Sequence, residues 1–214
     1  MGKYFKGILG PFAGLVGTVV GATWKGLWVM RSRPVSTGKA PTEAQMIQRS
    51  RFALMSQFLS PVTELIRIGY QAYNQEQSPY KVAFKQNIDE AITGVYPLLT
   101  INYAQLSIAK GRLLAVHSDV EVAGTTAGQL DITWTNNAPV DSTNGSDRIY
   151  LLAYNPGLQK YVMVKSAAAR SAAQYDMAVP LDWSGNMVHV WLFFVTVNGK
   201  LVSDSVHMGP VPVV

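Results

Sequence analysis

The sequence of 214 residues contains no cysteine and three histidines. Without thiols, neither a disulfide framework nor a thiolate metal site can form. His117, His189 and His207 stand apart without ligand spacing, so no metal or cofactor is expected. Charge is scarce as well: Asp, Glu, Lys and Arg make up 14% of residues, against about 25% in soluble domains. That leaves less charged surface than a lone monomer carries and points to self-association. Catalytic signatures are missing too. No Gly-x-Ser-x-Gly, HExxH or Walker sequence occurs, and the Gly-x-x-Gly-x-x-x-Gly run from Gly14 to Gly21 lacks the helix and downstream acid of a dinucleotide site. Asp131 and Asp204 belong to no paired motif. His189 shares a strand face with Trp191 by period two and reads as a satisfied, partly buried histidine. The expectation is a non-enzyme.

What charge there is lies unevenly. Residues 1–60 hold eight Lys/Arg against Glu43 alone, a net +7; residues 61–114 hold five against four, a net +1; residues 115–214 hold five against eight, a net −3. A basic amino-terminal part can contact nucleic acid, another anionic surface or the acidic part of a second copy.

"GPFAGLVGTVVGATWKG", residues 10–26, sets glycines inside an uncharged apolar run. As a secretory leader it has Lys3 and Lys6 in front and Val20-Gly21-Ala22 as a small-residue cleavage site. Pro11, Gly10, Gly14, Gly17 and Gly21 make it a poor helix, each glycine costing about 1 kcal/mol against alanine. As a membrane span it is short: the 17 residues from Ile8 to Trp24 give about 26 Å of helix against a ~30 Å hydrocarbon core. The third reading fits better. Val16, Thr18, Val20, Trp24, Leu27 and Val29, punctuated by Gly17, Gly21 and Gly26, predict short twisted strands with close backbone contacts.

After the polar linker "RSRPVSTGKAP" the period changes. Thr42 and Gln45 form a capping box, and Met46, Phe52, Met55 and Leu59 with Ala53 and Phe58 mark an apolar stripe, predicting a helix over about 43–59. Pro61 opens a continuation in which Leu65, Ile68 and Tyr73 follow the same face. Ser78-Pro79 starts a further helix that Gly94 should terminate, with Tyr80, Phe84, Ile88 and Ala91 facing the first pair. From residue 100 the alternation is two-fold, and turn signals at Asn155-Pro156-Gly157 and Asn198-Gly199, the latter a two-residue hairpin turn, separate seven or eight short strands. That count over about 110 residues implies a sandwich.

"LDITWTNNAP" with Trp134, "IYLLAYNP" and "VWLFFVTVNGKLVSDSVHMGPV" resemble the second, third and last strands of a fibronectin type III domain, over about residues 103–214. No tyrosine stands near His189 or Trp191, where that family's tyrosine corner would fall. Gly14, Gly17, Gly21, Trp24, Lys25, Gly26, Arg31, Gln45, Arg49 and Phe52 fit the pattern of an uncharacterised bacterial family of this length, similar to small phage-like or surface structural proteins. Leu15 departs from that pattern, where a lysine is expected.

The expected architecture is α+β. Residues 1–99, a Gly-rich β segment plus helices, form a docking or assembly region, and residues 100–214 form an Ig/fibronectin III-like antiparallel β-sandwich. The expected role is a non-catalytic structural protein of a surface, filament, phage-like particle or extracellular assembly. It binds copies of itself or other protein subunits through Val16, Val19, Trp24, Leu27 and Trp28, which also read as ordinary core, and has no transmembrane span. The alternative is nucleic-acid binding, with Lys25, Arg31, Arg33, Lys39, Arg49 and Arg51 contacting phosphates and Trp24 and Trp28 stacking on bases.

Overall fold

A computed structural model describes residues 2–3, 10, 12–36, 38–73, 77–116, 120–139 and 143–214. The chain parts after Thr42 into two compact units, Met1–Thr42 and Glu43–Val214.

The first unit is an antiparallel sheet of β1 (Gly2–Lys3), β2 (Gly14–Val16), β3 (Val19–Trp24) and β4 (Leu27–Ser32) in the order β1-β4-β3-β2. Lys25 and Gly26 both have positive φ in the two-residue β3–β4 turn, the type I′ geometry that suits strand twist. Gly17 also serves a turn, with φ +59°. Of the three glycines expected to allow close backbone contact, only Gly21 does. A Cβ there would lie 2.3 Å from the Phe12 carbonyl oxygen and 2.7 Å from its ring.

The second unit opens with α1 (Glu43–Leu59), α2 (Thr63–Gly69) and α3 (Pro79–Glu90). The predicted stripe on α1 buries Met55, Phe58 and Leu59. Phe52 stays more than half exposed, its ring 4.4 Å from that of Phe84. Pro79 takes the first turn of α3 as expected, but the helix ends at Glu90 with Ala91 as its cap. Gly94 instead lies in β5 (Ile92–Val95), which pairs with β6 (Leu98–Ile101). It adopts φ +92° where a Cβ would meet the Leu98 carbonyl.

Seven further strands follow: β7 (Val120–Ala123), β8 (Gln129–Trp134), β9 (Arg148–Asn155), β10 (Lys160–Val164), β11 (Gln174–Ala178), β12 (Met187–Val195) and β13 (Val206–Pro212). They form two antiparallel sheets, β11-β8-β7 and β10-β9-β12-β13. The expected Asn198-Gly199 turn is wider than two residues: the Thr196 N–H donates to the Leu201 carbonyl across residues 197–200, and Val195 bridges to Val202.

The two sheets face each other across one core. Leu130, Ile132 and Trp134 from β8 meet Ile149, Leu151 and Ala153 from β9 and Val188, Val190, Leu192 and Phe194 from β12. Trp134 donates its indole N–H to the Arg170 carbonyl, 2.8 Å away. The Arg170 guanidinium is fully buried over the Phe194 ring, pairs with Asp147 at 3.4 Å and donates to Asn137 Oδ1 and the Leu114 carbonyl.

The alternate residues of β9 and β12 face the other way. Leu152, Tyr154, Trp191, Phe193 and Val195 pack with Met55, Phe58, Leu59, Leu65, Ile66, Phe84 and Ile88 of the helices in a second core. The periodicity boundary at 99/100 therefore runs through a shared core, and the helices group with the sandwich and not with residues 1–42. The fold is α+β, with helix, sheet and sheet in three layers.

Phe58 sits at the centre of the second core, with its ring 5.0 Å from Tyr154, 5.6 Å from Tyr161 and 5.8 Å from Trp191. Phe58→Ala should cost about 3–5 kcal/mol. Urea unfolding followed by helical circular dichroism and by tryptophan fluorescence should give one coincident, left-shifted transition. Separate transitions would show that the helices and sandwich fold independently.

Candidate functional site

Strand register settles how the five predicted interface residues are arranged. Val16 pairs with Val19, and Thr23 pairs with Trp28, so Val16, Val19 and Trp28 share one face of the first sheet with Gly21. Trp24 pairs with Leu27 and lies on the opposite face with Leu15, Val20, Ala22, Val29 and Arg31. The set is thus divided between two faces. Val29 is buried at 3% exposure, whereas Leu15, Val16 and Trp24 are 53%, 62% and 55% exposed. Among the described residues β2 is an edge strand, and its Gly-Leu-Val sequence carries neither the charge nor the proline that blunts such edges.

The predicted basic residues fall in different places. Lys25 stands in the β3–β4 turn with its ammonium 5.5 Å from the Trp24 ring. Arg31 is exposed on the Trp24 face, Arg33 donates its backbone N–H to the Thr18 carbonyl, and Lys39 is exposed beyond the sheet. Arg49 and Arg51 belong to the second unit. Arg49 is exposed on α1, while Arg51 donates to the Ile88 carbonyl at 2.7 Å, occupying its guanidinium at the end of α3.

The titratable residues weighed for catalysis are engaged structurally. Asp131 accepts from Thr125 and Gln129, and Asp204 accepts from the Gly111 N–H at 3.0 Å. His117 lies outside the described residues. His189 and His207 are close, with His189 Nδ1 and His207 Nε2 3.0 Å apart and the rings stacked beside Tyr103 and Trp191. Burial holds both below the usual imidazole range. His207, with the His189 charge opposing its own, is pushed down to about 4. Among the described residues no group of three or more His, Cys, Asp or Glu could hold a metal ion.

A feature that strand periodicity hid lies in the second unit. α1, β6 and the β9–β10 turn enclose a cleft of about 480 Å³ lined by Phe58, Tyr103, Tyr154, Tyr161, Gln57 and Gln159, among others, none of them charged. Tyr154 pairs directly with Tyr161 in register, and its ring lies 4.6 Å from that of Tyr161 and 5.6 Å from that of Tyr103. Burial raises all three phenols, Tyr161 to about 12. In sequence these tyrosines are indistinguishable from sheet core. What sets Tyr103 and Tyr161 apart is that both stay half-buried where the cleft opens, with Tyr154 buried between them and Phe58.

A family model described as "Family of unknown function (DUF6266)" matches residues 11–209, spanning both units. The chain belongs to this family. No curated protein matches the chain at a significant level. Among solved structures it is similar to the fn3 domain of human collagen alpha-1(XX) chain, determined in solution, at 19% identity and a TM-score of 0.31, covering 50% of this chain and 90% of that one. No helix among the described residues is long and apolar enough to cross a membrane.

The histidine pair generates a pH dependence whose sign is fixed. Because the folded state holds both imidazoles below the unfolded value of about 6.5, the unfolded chain binds more protons between pH 6.5 and 4. The pair's contribution is therefore complete above pH 6.5 and is lost as pH falls towards 4. Melting temperature measured across this window should fall more steeply for the native protein than for His207→Gln. Parallel curves would contradict the burial of the pair.

Proposed function

We propose that this protein is a non-catalytic structural or assembly component that self-associates through its amino-terminal sheet. The observation that carries this reading is the unprotected β2 edge beside Leu15, Val16 and Trp24, each more than half exposed. A second copy laid along β2, which has no further strand beside it among the described residues, would pair with its outer backbone groups, and burial of the flanking apolar side chains would contribute ~25 cal/mol per Å². Contact between the net +7 of residues 1–60 and the net −3 of residues 115–214 in a neighbouring copy would add orientation and on-rate more than affinity. Docking to other protein subunits would use the same edge.

Nucleic-acid binding is a second reading, favoured by one observation. Lys25 lies over Trp24, and Arg31 shares that sheet face, which combines a stacking surface with phosphate-seeking cations. The readings separate by salt. Apolar association persists at ~500 mM salt, whereas phosphate contacts weaken steeply from ~50 to 200 mM.

Light scattering of the purified chain across concentration and salt tests the proposal. The native protein should form oligomers that persist at high salt. An aromatic side chain buries ~150–250 Å², and the half of Trp24 still exposed is worth ~2–3 kcal/mol per copy, so Trp24→Ser should weaken association at least ~30-fold. Leu15→Lys, which places a charge on the β2 edge, should shift the mass to monomer. A native protein that stays monomeric at high concentration overturns the reading.

A further inference from the structure

The cleft of about 480 Å³ between α1, β6 and the β9–β10 turn is within the ~300–1,000 Å³ of small-molecule sites. We propose that it binds a neutral carbohydrate, with a pyranose ring resting on the tyrosine cluster. Three observations carry this.

The first is the lining. Tyr103 and Tyr161, both half-buried, supply the aromatic faces, and the buried rings of Tyr154 and Phe58 back them with centroids 4.6–6.1 Å apart. Aromatic faces pack against the C–H-bearing face of a sugar ring, where weak C–H contacts add to burial. The second is charge. Among the described residues no acidic or basic side chain lines the cleft, so none of them would offset desolvation of a charged ligand. The polar groups are Gln57, Gln159 and Thr100 with the three phenols. Amides and hydroxyls both donate and accept, which matches sugar hydroxyls with the same double capacity.

The third concerns Gln159. It adopts φ +53°, a left-handed conformation that costs a non-glycine residue, in a turn that already contains Gly157. There its Oε1 accepts from Gln57 Nε2, 3.3 Å away, bridging α1 to the β9–β10 turn at the exposed rim of the cleft. Glycine at this position would relieve the backbone and remove the amide. Keeping glutamine places a polar group where a ligand's hydroxyls would arrive.

Saturation-transfer NMR of the full chain with maltotriose, cellotriose and mannotriose, each at millimolar concentration, tests the proposal. Transfer should reach the ring C–H protons of at least one trisaccharide and fall at least fivefold in the surface variant Gln57→Ala/Gln159→Ala. Gln159→Gly separates a ligand role from a structural one: it should match or exceed the native melting temperature while losing transfer by a similar factor. No transfer from any of the three sugars overturns the proposal, as does transfer unchanged in both variants. A decaproline peptide that perturbs Tyr161 while the sugars do not would also overturn it, by assigning the aromatic cleft to an extended peptide.

Discussion

β9 and β12 are apolar on both faces, and the second unit is organised around covering both. On β12, Val188, Val190, Leu192 and Phe194 face the β11-β8-β7 sheet, while Trp191, Phe193 and Val195 face the helices. A sheet left with one such face in water would expose several large side chains, each worth roughly 1.5–3 kcal/mol of burial. The helices are therefore the third layer of the fold. Strands covered on both sides read as continuous apolar runs, and "VWLFFV", residues 190–195, is one.

This arrangement also bears on the scarcity of charge. Three layers in one chain create two cores, and the two together hold most of the large apolar residues of Glu43–Val214. Much of the 14% charged composition is thereby explained within the second unit. With two cores in one unit, low charge by itself is weak support for self-association. The case for association rests instead on the amino-terminal sheet, where Leu15, Val16 and Trp24 remain exposed beside an open edge.

Local signals in the sequence were faithful wherever one segment determines its own structure. The Thr42 boundary and apolar stripe predicted α1 over the residues it occupies, Ser78-Pro79 marked the start of α3, and the alternating segments from residue 120 became strands, whereas the alternation expected from residue 100 gives only the end of β6 and then a 3₁₀ turn at Tyr103–Gln105. Signals that depend on a distant partner were not legible. Gly94 looked like a helix stop because the close approach of the Leu98 carbonyl lies in a hairpin that periodicity did not reveal. The division of Val16 and Trp24 between opposite faces depended on a register fixed by two-residue turns. The cleft was hidden because Tyr103, Tyr154 and Tyr161 come from three separate segments, and strand residues of this type are core by default. Arg51 read as a surface cation, and its attachment to the Ile88 carbonyl is a tertiary contact.

Sandwich and helices belong to one compact unit because a single sheet needs cover on both faces. Expressing residues 43–214 and residues 103–214 separately, and recording amide NMR spectra of each, tests it most directly. The longer fragment should give the dispersed spectrum of a folded protein, and the shorter should be unfolded or aggregated with Trp191 and Phe193 uncovered. A shorter fragment that is monomeric, well dispersed and as stable as the longer one would contradict the account.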